Sequence, residues 1–354
     1  MRYPEAMKTT HSQLPGERSL RTASGRVLRA FVWIGKSLLF IAVVGWTSLA
    51  IYFSNLPWPA ARTVLALTCA AFGIWAVWWA RERRFAWIFA AVFVGVLMWW
   101  STIMPSHARK WRADVAVLPT ASVDGDRVTL TGVRNFEYRT TDDFTVHYET
   151  RQVSLAHLTG VDFYISYWMP GPIGHTFVSF TFDNAPPVSI SIEARPEVDE
   201  GYAPIASLFK QFELVYVVGE ERDIVGVRTN HRHEDVFLFR VETSPQSVRQ
   251  LFHVYLERIN ALAAQPEFYH LLSNSCTVNI VRYANAAGRP RGFDIRHYFN
   301  GLIDGYLYET NRLNTTLPLE ELRRRSHINE VAQAADNRPD FPERIRVLLP
   351  PVRR

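Results

Sequence analysis

The residues best suited to covalent chemistry are scarce in this chain: 2 cysteines and 11 histidines among 354 residues. Cys276 stands in "SNSCTVNIVRYANAA", where Asn274 or Ser275 can cap a helix and the thiol then falls in its first turn. There the helix dipole and the unbonded N–H groups favour thiolate over thiol, and the same N–H groups can hold an oxyanion. A cysteine so placed can attack a carbonyl carbon if a base stands near. The plain alternative is a buried thiol acting as a small hydrophobe, and residue type alone favours it.

His175 is the candidate base. It follows the Pro/Gly turn "PGPIG" and opens "HTFVSFTF", an apolar strand expected in the middle of a sheet. Such a pair needs a polar group to orient the imidazole. Glu193, on the next strand and on one face with Ser189 and Ser191, is the first choice; Asn279, about one helical turn past the thiol, is the second. Asn274 and Ser275, directly before the thiol, are candidate substrate contacts. His270 is expected to pack in the incoming segment, and "NHRHED" with His231 and His233 to form a solvated turn. No third ligand accompanies that pair, so no metal is expected, and the chemistry calls for no cofactor.

The elements that must position these groups begin after Asp114. "RVTLTGVRNFEYRT", "DDFTVHYETRQVSL", "GVDFYISYWM", "GHTFVSFTFDN", "PVSISIEAR" and "VFLFRVE" alternate as strands. "YAPIASLFKQFELVYVV" is expected to be a helix running into a strand. "SPQSVRQLFHVYLERINALAAQ" is a helix capped by Ser244 or Ser247, and "PLEELRRRSHINEVAQAA" a last one. The fold class is α+β, a mainly antiparallel sheet with helices concentrated towards the C-terminal end.

Ahead of this domain lie three apolar runs, 34–53, 63–80 and 85–104, long enough to cross a bilayer. Tryptophans and tyrosines cluster at their ends, as interfacial belts do. A cleaved signal peptide fits poorly, since the first run starts late and two more follow. Basic residues crowd the segment before the first run and the "RERR" between the second and third. The positive-inside rule then places residues 1–33 as a cytoplasmic tail, 34–104 as a three-helix transmembrane region and 105–354 as a periplasmic domain at a bacterial inner membrane. "PSHARKWR" is a short linker expected to hold that domain against the outer leaflet. Residues 1–104 carry 11 Lys+Arg against 3 Asp+Glu, and the remainder 28 against 31. The basic balance therefore belongs to topology, and nucleic acid is excluded as a partner. Cys69 lies in the second run, which leaves Cys276 without a disulfide partner in an oxidising compartment.

Taken in order, "VRNFEYRT", "GHTFVSFTFDN", "VSISIEARPE", "VVGEERDIVGVRTNHRHEDVFLFRV", "SNSCTVNIV" and the terminal "DFPERIRV" resemble the Lnb N-terminal periplasmic domain family. That family is similar to circularly permuted papain-like and NlpC-type thiol enzymes, and the permutation accounts for a histidine that precedes the cysteine. The resemblance implies Cys276 as nucleophile, His175 as base and Glu193 as orienter. It also implies transfer of an acyl chain from a membrane phospholipid to the amine of a lipoprotein. One departure is that the family carries Asn directly before the cysteine, where this chain has Ser275 after Asn274. Of the arginines in the matching segments (Arg134, Arg139, Arg195, Arg222, Arg228 and Arg232), Arg195 is the first choice to hold a phosphate headgroup. For the others, ion pairs to Glu220, Glu221 and Asp223 are the simpler expectation. An amidase or lipid hydrolase of the cell envelope, or a non-catalytic scaffold, remains as the alternative.

Overall fold

The structure, a computed structural model, describes residues 15–351 except 289 and 337, with side chains from residue 28 onward. Arg2 and Lys8 of the expected basic tail lie outside the described residues. The chain divides into two compact units, Met1–Ile103 and Met104–Arg354.

The first unit holds α1 (Pro15–Tyr52), α2 (Pro59–Trp78) and α3 (Arg84–Thr102). All three are long and apolar enough to cross a membrane, over Leu28–Tyr52, Pro59–Trp78 and Arg84–Thr102. Helix α1 starts well before the apolar run, at a proline whose fixed φ suits a first helical turn. The buried positions of α2 are Ala66, Cys69, Gly73 and Ala76, a stripe of small residues that admits close helix packing. A Cβ on Gly73 would stand 2.7 Å from the Phe89 ring and 2.9 Å from Val44. Cys69 is thus one more small residue in a helix seam.

The second unit is built on one sheet. Its strands are β1 (Thr120–Asp124), β2 (Arg127–Arg134), β5 (Tyr148–Ser154), β6 (Leu158–Tyr167), β7 (His175–Phe182), β8 (Val188–Arg195), β9 (Glu213–Gly219) and β10 (Asp235–Arg240); β3 (Glu137–Tyr138) and β4 (Phe144–Thr145) form a separate ribbon. The order is β1-β2-β9-β8-β7-β6-β10, with β5 also on β2, and every pairing is antiparallel except a short parallel contact of β2 with β9. Strands β7 and β8 are central and buried along most of their length. Its α-helices are α4 (Glu221–Ile224), between β9 and β10, and then α5 (Pro245–Ala264), α6 (Cys276–Ala286), α7 (Ile303–Glu309), α8 (Leu319–Ser326), α9 (Asn329–Ala334) and α10 (Phe341–Arg344). Three long apolar helices followed by a sheet-plus-helices domain is the architecture expected from the sequence.

Both faces of the sheet are covered. Phe180 of β7 packs on Phe252 and Tyr255 of α5, and the Tyr216 hydroxyl of β9 meets that of Tyr283 on α6. Beside these, Tyr164, Phe177, Val215 and Val217 join Ile224 of α4, Ala332 of α9 and Phe341 of α10 in one cluster. Arg346 ties the C-terminal segment into the fold through Asp162 (2.8 Å) and both oxygens of Glu221.

Three expectations shift at the level of single elements. "YAPIASLFKQF" forms only a 3-10 turn, Ala206–Leu208, because Lys210 adopts φ 59° and ends it. The last predicted helix breaks into α8 and α9, where the Ile328 N–H leaves the helix to bond the Val236 carbonyl on β10 (3.0 Å). "RVTLTGVRNFEYRT" is interrupted after Arg134, where the Phe136 N–H turns to the Asp223 carboxylate (2.8 Å). The short "PSHARKWR" linker is bonded to the domain it enters: Ser106 N–H donates to Glu213 (3.1 Å), His107 bonds the Leu262 carbonyl (2.8 Å), and Arg109 pairs with Glu197 and Glu213 (2.9 and 2.7 Å).

Candidate active site

Cys276 is the first residue of α6, as its sequence context indicates. Ser275 occupies the N-cap position through extended backbone, φ −93° and ψ 174°, and its side chain makes no capping bond. Asn274 does not cap either. Its amide donates to the Phe268 carbonyl (2.9 Å) and to Glu267 (3.2 Å), while its oxygen accepts from Asn279 (2.9 Å). These two asparagines fix the approach of the chain to the helix. Asn279 accepts from Arg282 (2.9 Å), so both ends of its amide are engaged on its own side of the fold.

The thiol is 4 % exposed. Burial alone pushes its pKa up. The charge and hydrogen bond of His175, with the N–H and hydroxyl of Thr176, outweigh burial and bring it down to about 6. His175 is the first residue of β7, where the strand leaves the turn. Its Nε2 lies 2.7 Å from Ser191 Oγ and 3.7 Å from Glu193 Oε1, and its ring stacks on Phe177 with centroids 6.0 Å apart. The structure therefore brings together Cys276, His175 and Glu193. It adds Ser191, which shares the β8 face of Glu193 and stands nearest the imidazole.

Glu193 is held in turn. Arg228 donates to it through Nη2 (2.7 Å) and to the Ile224 carbonyl through Nη1 (2.5 Å), with its guanidinium over the Phe177 ring at 4.8 Å. Burial pushes the Glu193 carboxyl up, but Arg228, His175, the Ser191 hydroxyl and Arg134 hold it well below the usual carboxylate range. Arg228 lies on a single π-helical turn, Val227–His231, that carries it under the strand. Of the ion pairs expected between the arginines of the matching segments and Glu220, Glu221 and Asp223, Arg134 with Asp223 forms (2.7 Å), whereas Glu220 pairs with Arg151 and Glu221 with Arg346.

Arg195 departs from its assigned role. Its guanidinium donates to the Val115 and Ala116 carbonyls (2.9 and 2.6 Å) and stacks on Trp111 at 4.2 Å. At 2 % exposure it clamps the segment entering the domain and presents no open fork to a headgroup. Burial lowers its pKa to about 10, against the opposing pull of Glu213 and Tyr148.

Asn300 was missed. It lies in a 3-10 turn, Asn300–Leu302, and its oxygen accepts from the Gly174 N–H (2.9 Å). Its amide lies within reach of the Gly174 carbonyl (2.6 Å), the Thr277 hydroxyl (3.0 Å) and Cys276 Sγ (3.9 Å). Next to it, a Cβ on Gly301 would meet the Pro172 carbonyl carbon at 2.7 Å. The turn thus locks the "PGPIG" loop that delivers His175. Nothing in the local sequence around Asn300 signals this, because its partners come from two distant segments.

A triplet of apolar spans and a separate α+β domain define a membrane protein with a folded extramembrane domain. Residues 144–300 match the family model of the Lnb N-terminal periplasmic domain, and this segment belongs to that family. The match includes His175, Ser191, Glu193, Arg228, Cys276 and Asn300. No curated protein and no solved structure gives a significant match.

Proposed function

We propose that this protein is a membrane-anchored periplasmic thiol acyltransferase. It moves an acyl chain from a phospholipid to a lipoprotein amine through a thioester on Cys276. In this reading the N-terminus is cytoplasmic, the chain crosses the membrane three times and the papain-like domain faces the periplasm. The observation that carries it is the thiol at the start of α6, brought to about 6 by an imidazole that Ser191 and Glu193 back on its other side.

With Nε2 engaged by Ser191 and Glu193, Nδ1 is the atom that exchanges a proton with the thiol. The Cys276 thiolate attacks the ester carbonyl carbon. Backbone N–H groups at the helix start are donors for the oxyanion. The tetrahedral intermediate collapses with loss of the lipid alkoxide, which takes the proton from His175 and departs as a lysolipid. An amine then attacks the thioester, gives its proton to His175, and the thiolate leaves as the amide forms. Glu193, ionised beside Arg228, stabilises the imidazolium when His175 holds the proton and keeps the ring oriented.

The test is mass spectrometry of lipoprotein N-termini in cells with the native gene, with the gene deleted and with Cys276→Ala. Loss of the N-acyl group in both altered strains is expected. An unchanged N-acyl group in a strain free of other transferases refutes the reading. Release of free fatty acid by the purified chain without amine acylation would instead assign the same thiol to hydrolysis.

A further inference from the structure

Large apolar side chains stand in the open close to the thiol pair. Trp168, Met169 and Ile173 lie on the loop that joins β6 to β7, and Phe293, Phe299 and Leu302 on the segment between α6 and α7; each is between 43 and 71 % exposed. The two segments form one surface. The Gly301 N–H donates to the Pro172 carbonyl (3.0 Å), the Gly301 carbonyl accepts from the Tyr167 hydroxyl, and the Asn300 amide holds both backbone groups of Gly174 (2.9 and 2.6 Å). Phe293 packs on Tyr298, next to Phe299, with ring centroids 5.6 Å apart. These contacts fix the loops, so the exposed rings do not come from a loose chain. Residues 168–173 carry no charge. Between 292 and 302, besides the buried His297, only Asp294 and Arg296 are ionisable to charge; they pair with each other (2.8 Å), and Arg296 also pairs with Glu309 (2.7 Å). Exposed apolar side chains grouped in this way mark a contact surface.

The end of the sheet on which this surface stands decides what covers it. Pairing of Ser166 with His175, Phe177 with Ser191 and Arg195 with Glu213 puts the β6–β7 loop at the same end as the close of β8 and the start of β9. The chain enters the domain at that end. Ser106 N–H and Arg109 bond Glu213, Arg109 also bonds Glu197, and Trp111 forms a backbone bridge with Glu197. Residues 103–105 alone separate Ser106 from Thr102, the last residue of α3, a reach of at most about 14 Å. We propose that this apolar surface docks into the interfacial layer of the lipid bilayer that anchors the chain. Trp, Phe, Met, Ile and Leu side chains gain by leaving water, and aromatic rings favour the headgroup boundary. With the nearby charges paired among themselves, shallow immersion strands no lone ion. The rings project from loop tips, which a fluid phase can surround, whereas a protein partner would need a matching cavity. Ile173 and Phe299 adjoin Gly174 and Asn300, and the Asn300 amide lies 3.9 Å from Cys276 Sγ. Docking therefore holds the thiol site at lipid. That use rests on the acyltransferase reading; the docking itself does not.

The experiment uses the full chain, one copy per phosphatidylcholine nanodisc, in a background of Cys69→Ala and Cys276→Ser. A nitroxide is attached at Met169→Cys, at Phe293→Cys or, as control, at Asn184→Cys in the exposed β7–β8 turn at the opposite end of the sheet. Power-saturation EPR reads how often each label collides with oxygen, which concentrates in lipid, and with a water-soluble nickel chelate, which lipid excludes. The oxygen-to-nickel ratio at 169 and at 293 should exceed that at 184 at least about tenfold. Trp168→Ser with Phe293→Ser should lower the ratio at 169 at least about threefold, because the side chains that drive immersion are gone. Equal ratios at the three positions place the surface in water, and rare collisions with both probes place it under protein; either result overturns the proposal. So does a ratio at 169 that the double substitution leaves unchanged, since the tether alone would then set the depth. The background lacks the thiol, so these readings stand or fall independently of whether Cys276 transfers an acyl chain.

Discussion

His175→Ala should move the ionisation of Cys276 by more than any other single change in the domain. In the native chain the thiol titrates near 6, against an ordinary 9.0. At pH 7 about 0.9 of it is thiolate, against about 0.01 for an unperturbed thiol, a ratio near ninety. That ratio is not the rate gain. A thiolate of lower pKa is a weaker nucleophile, and with a Brønsted slope of about 0.4–0.5 three pH units cost roughly 15- to 30-fold. The net advantage over free cysteine is then only about three- to sixfold at pH 7, and the buried position reduces it further. The absolute rate is therefore a poor test and the pH profile a good one, because access scales the whole curve without moving its midpoint. The assay is iodoacetamide alkylation from pH 4 to 10 on the full chain carrying Cys69→Ala, normalised to its plateau. The native midpoint should fall near 6. In His175→Ala, the largest influence left is burial, which raises the pKa, so the midpoint should pass above 9.0. A native midpoint at 9, or one that His175→Ala leaves in place, refutes the claim that the imidazole activates this thiol.

Glu193→Gln removes the charge that stabilises the imidazolium, so the Cys276 midpoint should rise and acyl transfer should slow, with the fold retained. Arg228→Ala leaves the Glu193 carboxylate without its guanidinium and should cost about 3 kcal/mol in chemical unfolding of the domain, as broken buried pairs do. Asn300→Ala strands the Gly174 N–H and carbonyl and should cost about 2 kcal/mol. Asn300→Asp adds negative charge beside the sulfur instead and should raise the alkylation midpoint, a shift that a purely structural role would not produce. Glu213 should make stability fall as pH rises. Burial raises its carboxyl from 4.5 to about 7 against the pull of Arg109, so between these values the folded chain binds more protons than the unfolded one. The loss should run from about pH 4.5 to about pH 7, amount to about 3 kcal/mol at most, and vanish in Glu213→Gln in thermal unfolding scans.

What the sequence disclosed about the site follows from the reach of local pattern. Strand alternation placed Ser191 and Glu193 on one face, and antiparallel pairing of β7 with β8 carried that face to His175. The apolar runs located three spans but not the true start of α1, since an Arg- and Ser-bearing stretch with no proline after Pro15 extends a helix despite Gly25. Nearness in sequence to Glu193 is the only signal that points to Arg195 as a headgroup ligand. Two residues along a strand is about 7 Å, enough to put its guanidinium against Trp111 and two backbone carbonyls. Arg228 and Asn300 were hidden for a different reason. Each acts through side-chain bonds to elements far away in the chain, from a π-turn and a 3-10 turn that carry no periodic signal.

The chain contains its own control for the plainer account of Cys276. Cys69 is also free and buried, but it lies in a stripe with Ala66, Gly73 and Ala76, where a small side chain is all that helix packing requires. Cys276 has surroundings that packing does not call for. A small hydrophobe at a helix start needs no histidine opposite, no Ser191 and Glu193 behind that histidine, and no buried arginine on a π-turn to hold the carboxylate. Burying such a series of charges carries a desolvation cost that well-packed apolar residues of the same volume would avoid. The series ends at the sulfur, and its electrostatic effect is to keep that sulfur ionised against its own burial. Retaining it for shape alone would be costly, whereas a nucleophile that must exist as thiolate requires all of it.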